Sequence, residues 1–267
     1  MNEKYETHDA AYGVGQPVQR YEDPRLLRGE GNFINDLVVP GMAQIAYVRS
    51  PHARARIASI DTAEALAAPG VVGVFTVEDL LRDGIGATAP TLKRSRPDGT
   101  PMFWRAHPGL AKDMVRHVGD GVAIVVAETL AQAKDAAEMV QVDYEALPVT
   151  DPVWEECPDN VSNVFEMGNR TATEAAFAGA ARVVKRRYEI SRVHAQFMEP
   201  RGAIGVWDRG DGRYTLHCDV QYPQRVREVL SGVLKVPENQ IRVICKDIGG
   251  AFGAKGWAHL EHRHVLW

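Results

Sequence analysis

Residues 247–257 read DIGGAFGAKGW, with Gly249, Gly250, Gly253 and Gly256 crowded around Phe252 and Lys255. Glycines at that density let a backbone turn sharply and let a ligand touch the main chain, because no Cβ stands in the way. Successive amides without side chains can also hold anionic oxygens. The stretch therefore points to a close-fitting anionic or planar ligand. A bare tight connection between strand and helix carries about equal weight on the loop alone. The phosphate-loop pattern G-x-x-x-x-G-K-[ST] fails, because Lys255 lies between Ala254 and Gly256. The G-x-G-x-x-G dinucleotide pattern fails as well.

Other reactive side chains read more plainly as structure. Glu199 and Arg201 could act in a site, but an internal ion pair or a strand-edge contact serves them as well. His194 reads as a packed or hydrogen-bonded histidine. His259, His262 and His264 sit in HLEHRHVLW, where no carboxylate or cysteine set completes a zinc spacing. The basic stretches RSPHARAR and VKRRYE read as a solvated loop and an exposed strand start. Cys157, Cys218 and Cys245 lie far apart, so neither a zinc site nor an iron–sulfur cluster is visible. Their odd number, with no apolar leader or twin arginine at the N-terminus, fits a reducing cytoplasm.

The elements that must position the loop can be read from periodicity. Residues 43–50, 71–76 and 121–127 read as strands. Asp61 with Glu64 has the spacing of a capping box, Pro69-Gly70 a helix stop, and Thr76 opens a second helical turn. Residues 85–118 read as a long loop. The helix after Glu128 has Leu130, Ala133, Ala137 and Val140 on one face, and the next strand alternates Val140, Val142 and Tyr144. This strand–helix–strand unit closes a first domain. A short helix is expected over 173–184 and a strand from Val184. Residues 202–208 and 213–220 form a hairpin across DRGDG. A helix starting at Pro223 buries Val226, Val229, Leu230 and Val233. Residues 241–247 form a strand whose carboxyl end carries the glycine loop, which is where ligands gather in α/β units.

At 267 residues the chain has room for two domains. A 45% apolar and 25% charged composition is that of a globular protein, and a net charge of −4 argues against nucleic acid as a partner. No apolar run approaches the ~20 residues of a membrane helix. The division expected is a flexible N-terminus over 1–19, a domain over 20–150, a linker over 151–185 and a second domain over 186–267.

Several separated motifs resemble the xanthine dehydrogenase family of molybdenum hydroxylases, nearest to large subunits of the aerobic carbon monoxide dehydrogenase type. VQYPQRVREVLSGVLKVPENQIRVICKDIGGAFGAKG resembles the family's cofactor-binding segment, with Gln221 for its strand-end glutamine. Gly249-Gly250-Ala251-Phe252-Gly253-Ala254-Lys255 stands for its G-G-G-F-G-x-K loop; Ala251 replaces the third glycine. HAQFMEPRGAIGVWD resembles the family's M-E-P-R segment, and residues 22–37, 49–57 and 117–148 resemble its N-terminal a/b hammerhead domain.

The resemblance implies an α+β fold, a hammerhead domain followed by the start of a molybdopterin-binding domain. It implies a molybdenum–molybdopterin cofactor, in the cytosine dinucleotide form, held by Gln221, Gly249, Gly250, Ala251, Phe252 and Gly253, with no direct metal ligand. It implies an oxidoreductase hydroxylating an aldehyde, an N-heterocycle or CO, with electrons leaving through a ferredoxin-like Fe–S subunit and an FAD subunit in a dimer of heterotrimers. Xanthine-type members carry a glutamate where this chain has Gly256, which argues against a purine. No catalytic residue is expected here, since the family's general base belongs to a later region. The chain reads as an N-terminal portion whose Val265, Leu266 and Trp267 would form an exposed apolar patch, inactive alone. A non-catalytic scaffold module is the competing reading; a phosphate-binding NTPase is disfavoured by the failed motif.

Overall fold

The computed structural model describes Gly15 and residues 17–90, 92–149, 161–190 and 193–267. Most of the expected N-terminal tail and the first part of the expected linker, with Cys157, lie outside the described residues. The chain builds three small sheets, each of three strands.

The first sheet has the order β1 (Gln44–Arg49), β5 (Gly121–Ala127), β3 (Val71–Thr76), antiparallel throughout. Its central strand is almost wholly buried, which is why GVAIVVA is a continuous apolar run rather than an alternating one. Val125 faces a cluster with Ala65 and Ala136, supplied by α2 (Ala63–Ala67) and α4 (Leu130–Met139). Its neighbour Ile124 faces the other side, with Val77, Leu80 and Leu110. Val77 and Leu80 belong to α3 (Val77–Arg82), whose capping box joins Thr76 and Asp79. The second sheet runs β4 (Met114–Val115), β2 (Ala55–Asp61), β6 (Gln141–Ala146), also antiparallel.

Several sequence expectations need correction. The strand–helix–strand unit is real, but β5 and β6 belong to different sheets, so α4 is a bridge between sheets. Leu130, the first residue of the helix after the Thr129 cap, is exposed at 46%, and the buried face is made by Ala133 and Ala136. Asp61 ends β2; the cap position of α2 is Thr62, and Asp61 Oδ1 accepts the Ala63 N–H instead. The 85–118 stretch is loop except for β4. The helix expected over 173–184 is α5 (Arg170–Ala178). Residues 184–190 form no strand; they are exposed, and no neighbouring strand offers them a ladder.

The third sheet has the order β7 (Ala203–Asp208), β8 (Arg213–Cys218), β9 (Ile241–Ile244). β7 and β8 are the expected hairpin; β8 and β9 are parallel, joined by α6 (Pro223–Leu234). The helix lays Val226 and Leu230 on Leu216, Cys218 and Ile241, and Leu266 completes that core.

The terminal residues correct the expected apolar patch. After α7 (Leu260–His264), Leu266 is buried in the third-sheet core and Trp267 packs edge-on against Phe75. Trp267 Nε1 also donates to Asp83 Oδ2 at 2.9 Å. The approach is close: a Cβ on Gly205 would lie 1.8 Å from the Val265 carbonyl oxygen. Arg263 crosses to the first half and donates to Gly86 O at 3.1 Å and Thr88 Oγ1 at 2.9 Å. Val233 O accepts from Gly86 N at 2.7 Å. Tyr47 and His264 meet through Nδ1 at 2.9 Å.

Candidate functional site

Because β8 and β9 are parallel, their carboxyl ends lie side by side, and each runs into one arm of the site. Beyond β8 come Asp219, Val220 and Gln221; beyond β9 come Asp247 and the glycine loop. Gln221 N–H donates to Lys255 O at 2.9 Å, which docks the first arm on the end of the loop. The Gln221 side chain is exposed, and a Cβ placed on Gly256 would sit 3.7 Å from its Oε1 and 3.2 Å from Gly253 O. Glycine at 256 thus keeps the amide and the loop carbonyl close.

The loop itself turns outward. Gly250 and Gly253 have φ values of 97° and 86°, and Phe252, at 46°, enters the left-handed region that a side chain disfavours. Phe252 is 76% exposed, so its ring is held by the backbone rather than by a pocket of this chain. The Gly249 N–H is taken internally, and those of Ala254 and Gly256 close turns onto Ala251 O and Gly253 O. Among the described residues, the N–H groups of Gly250, Ala251, Phe252 and Gly253 take up no acceptor. A run of free, outward amides beside a neutral side-chain amide is a donor set for an oxygen-rich, anionic group, so the residues fit a phosphorylated pterin.

Lys255 does not belong to that outward face. It is fully buried, and its Nζ meets Glu199 O at 2.8 Å, Glu199 Oε2 at 3.2 Å, Asp219 Oδ2 and the face of Phe197. Glu199 is used at both oxygens: Oε1 accepts the Ile34 N–H at 3.1 Å and Oε2 the Gly249 N–H at 2.7 Å. Asp219 Oδ1 accepts the Gly202 N–H at 3.2 Å. Burial pushes the Asp219 carboxyl above its ordinary range, while its hydrogen bond with Lys255 pulls the other way. Sequence reasoning passed over Asp219 entirely. Its only signal was an acidic residue between Cys218 and Val220 just past the end of β8.

Asp247, at the loop's other root, is gripped by Arg25 through two bonds of 2.6 and 2.8 Å and by the Asn32 N–H at 2.6 Å. Those bonds hold its carboxyl down to about 2. Arg25 was likewise not legible as a partner, since 222 residues separate the pair.

The remaining candidates fall elsewhere. Arg201 bonds His259 Nδ1 at 2.7 Å and Glu261 at 3.3 Å. His194 is exposed beside Phe197 rather than packed in a core. His262 and His264 are buried and unsolvated, which lowers both to about 4. Among the described residues no group of three or more His, Cys, Asp or Glu side chains could hold a metal ion. Burial raises the Cys218 and Cys245 thiols, so both stay protonated and inert. A cleft of about 1030 Å³ lies between β1 and β7, lined by Tyr47, Trp207 and His264 among others. It does not include the loop, which stands at an open surface; the donor set, not cleft size, identifies the site. No helix among the described residues is long and apolar enough to cross a membrane.

Comparison with known proteins gives the family. The family model for the aldehyde oxidase and xanthine dehydrogenase a/b hammerhead domain matches residues 28–148, and that for the molybdopterin cofactor-binding domain matches residues 153–266. The chain is 36% identical to the carbon monoxide dehydrogenase large chain of Afipia carboxidovorans, over 92% of this chain and 32% of that one. It is 37% identical to the nicotine 6-hydroxylase large subunit of Paenarthrobacter nicotinovorans, over 95% and 31%. The structure of quinoline 2-oxidoreductase from Pseudomonas putida 86 superposes with a TM-score of 0.80 at 35% identity, covering 93% of this chain and 32% of that chain. The chain thus spans about a third of the length of these relatives.

Proposed function

Since the chain belongs to the aldehyde oxidase and xanthine dehydrogenase family of molybdenum enzymes, we propose that it is the part of a hydroxylase large subunit that holds one side of the molybdopterin. The observation that carries this reading is the row of free amides at Gly250, Ala251, Phe252 and Gly253 beside Gln221 at the ends of two parallel strands. Those amides take the oxygens of the cofactor, while Gly249, expected as a further donor, instead gives its N–H to Glu199 Oε2 and only sets where the row begins; Gln221 donates and accepts at its neutral amide without adding charge. Phe252 shields the bound group from water. The bound molybdenum centre supplies a two-electron oxidation.

The cofactor is proposed in its cytosine dinucleotide form. The substrates are proposed to be CO, an aldehyde or an N-heterocycle, in keeping with the relatives' names. Electrons pass to Fe–S and FAD subunits, in a dimer of heterotrimers. Among the described residues the loop has no free carboxylate to act as general base: Glu199 and Asp219 are engaged by Lys255, and Asp247 by Arg25. Alone it therefore binds but does not turn over. Residues 20–150 and 186–267 are proposed as its two domains, joined by 151–185.

The test is the molybdenum and released-pterin content of the protein isolated from a cofactor-producing host. Wild type should carry both. Gly253→Val, which puts a branched Cβ on a backbone with φ of 86°, should lose most of each. A wild-type protein free of molybdenum and pterin in its native assembly would favour the scaffold reading instead. Dye-linked oxidation of CO, aldehydes and N-heterocycles by that assembly then identifies the substrate.

A further inference from the structure

We infer that Glu199, braced by Lys255, is the positioning residue of the glycine loop, and that Lys255 acts from beneath the loop rather than on the ligand. The inference rests on the cofactor-binding reading above and adds how that site is set.

The geometry is specific to a carboxylate. Glu199 is 8% exposed and receives two backbone N–H groups from distant parts of the chain, Ile34 on Oε1 and Gly249 on Oε2. A glutamine offers one acceptor oxygen and one NH2, so one of those donors would face another donor. The return bond, Glu199 N–H to Gly249 O at 3.2 Å, fixes the same residue from its carbonyl side. With both ends of Gly249 held, the peptide that follows is aimed outward, and the free amides of 250–253 begin at that point. There is no slack: a Cβ on Gly249 would lie 2.4 Å from Glu199 Cβ.

Lys255 closes the arrangement from the loop's far end. Its Nζ contacts both Glu199 and Asp219, so the side chain that pairs with Glu199 is carried by the loop itself. A lysine on a phosphate-binding loop would be expected to reach for the ligand; this one is fully enclosed and has no path to it. Both roots of the turn are thereby anchored to residue 199, and the amides between them are preorganised.

The test compares wild type with Glu199→Gln and with the charge-free triple variant Glu199→Gln, Asp219→Asn, Lys255→Met, which removes the buried ions together and keeps a folded form accessible if the single variant unfolds. Backbone hydrogen exchange on the full chain without cofactor is the first readout. Exchange of the Gly249 amide, the loop N–H that Glu199 accepts, should rise at least about tenfold in both variants, while β8 and α6 keep wild-type protection. Unchanged exchange at Gly249, or a rise spread evenly over the third sheet, overturns the inference. Molybdenum content of the native assembly is the second readout. It should fall at least about tenfold in the triple variant even where its Tm equals wild type. A triple variant with full metal content and a protected loop also overturns it. If wild type itself holds no molybdenum, the functional reading fails, and loop exchange still decides the role of Glu199.

Discussion

The two halves of the molecule bury different chemistry. Between β1 and β6 the enclosed side chains are nearly all apolar, with Ser50 and Asp120 the polar ones. From Glu199 onward, Asp219, Lys255, His262, Arg263 and His264 are buried as deeply as the leucines and valines around them. An apolar core loses stability in proportion to volume removed. A polar one loses it stepwise, because each deleted partner strands another. The first half is therefore a support that tolerates repacking, and the second is a fitted mechanism that does not.

The largest effect should come at the seam. Gly205→Ala sets a methyl against the Val265 carbonyl, where only backbone can move, and should cost roughly 3–5 kcal/mol in denaturant unfolding. A loss below about 1 kcal/mol would show that the seam is softer than its geometry. Acid comes next. His262 and His264 are held near 4 when folded and return to about 6.5 when unfolded, so the unfolded chain binds more protons between these values. Stability should fall by roughly 2–3 kcal/mol for each of the two histidines as pH drops from 6.5 towards 4, and a His262→Asn, His264→Asn variant should flatten the profile. His107 is shifted the same way but is less enclosed and adds little.

A matched pair tests the contrast directly. Arg263→Met leaves Gly86 O and Thr88 Oγ1 without their donor and should cost roughly 2–3 kcal/mol, against about 1 kcal/mol for Ile124→Val at the centre of the first sheet. Equal losses would erase the distinction between the halves. Asp247→Asn should be the mildest change, smaller than Ile124→Val, because Arg25 is open to solvent. Its acid signature is separate: the carboxyl is depressed to about 2, so the bond to Arg25 is intact above about 4 and is lost as pH falls through 2. Thermal melts of wild type and the variant should converge at the acid end.

What could be read beforehand follows the same division. Strand and helix periods located β1, β3, β5, β8 and α6, because apolar spacing is a local property of a sequence. The glycine loop was legible for the same reason: its chemistry is written in adjacent residues. The brace under it was not. Glu199, Asp219 and Lys255 meet only after two strands and a helix are placed, and Glu199 read as well for a site as for an ion pair. The terminal Val265, Leu266 and Trp267 looked unpartnered because their partners lie far back in the chain: the third-sheet core for the first two, Phe75 and Asp83 for Trp267. Leu130 misled because it is the first residue of its helix and stays at the surface, while Ala133, Ala137 and Val140 pack as their spacing implies.

The Arg25–Asp247 bond has a consequence in time. During synthesis Arg25 leaves the ribosome 222 residues ahead of its partner, an interval of roughly 10–45 seconds at usual elongation rates. Throughout it the first two sheets can form, while Tyr47, Gly86 and Phe75 wait uncovered for residues that do not yet exist. The seam closes when residues 260–267 emerge. A pause or a rare codon shortly before them would lengthen the exposure of that surface, and the nascent chain would then depend on chaperones more than its folded stability suggests.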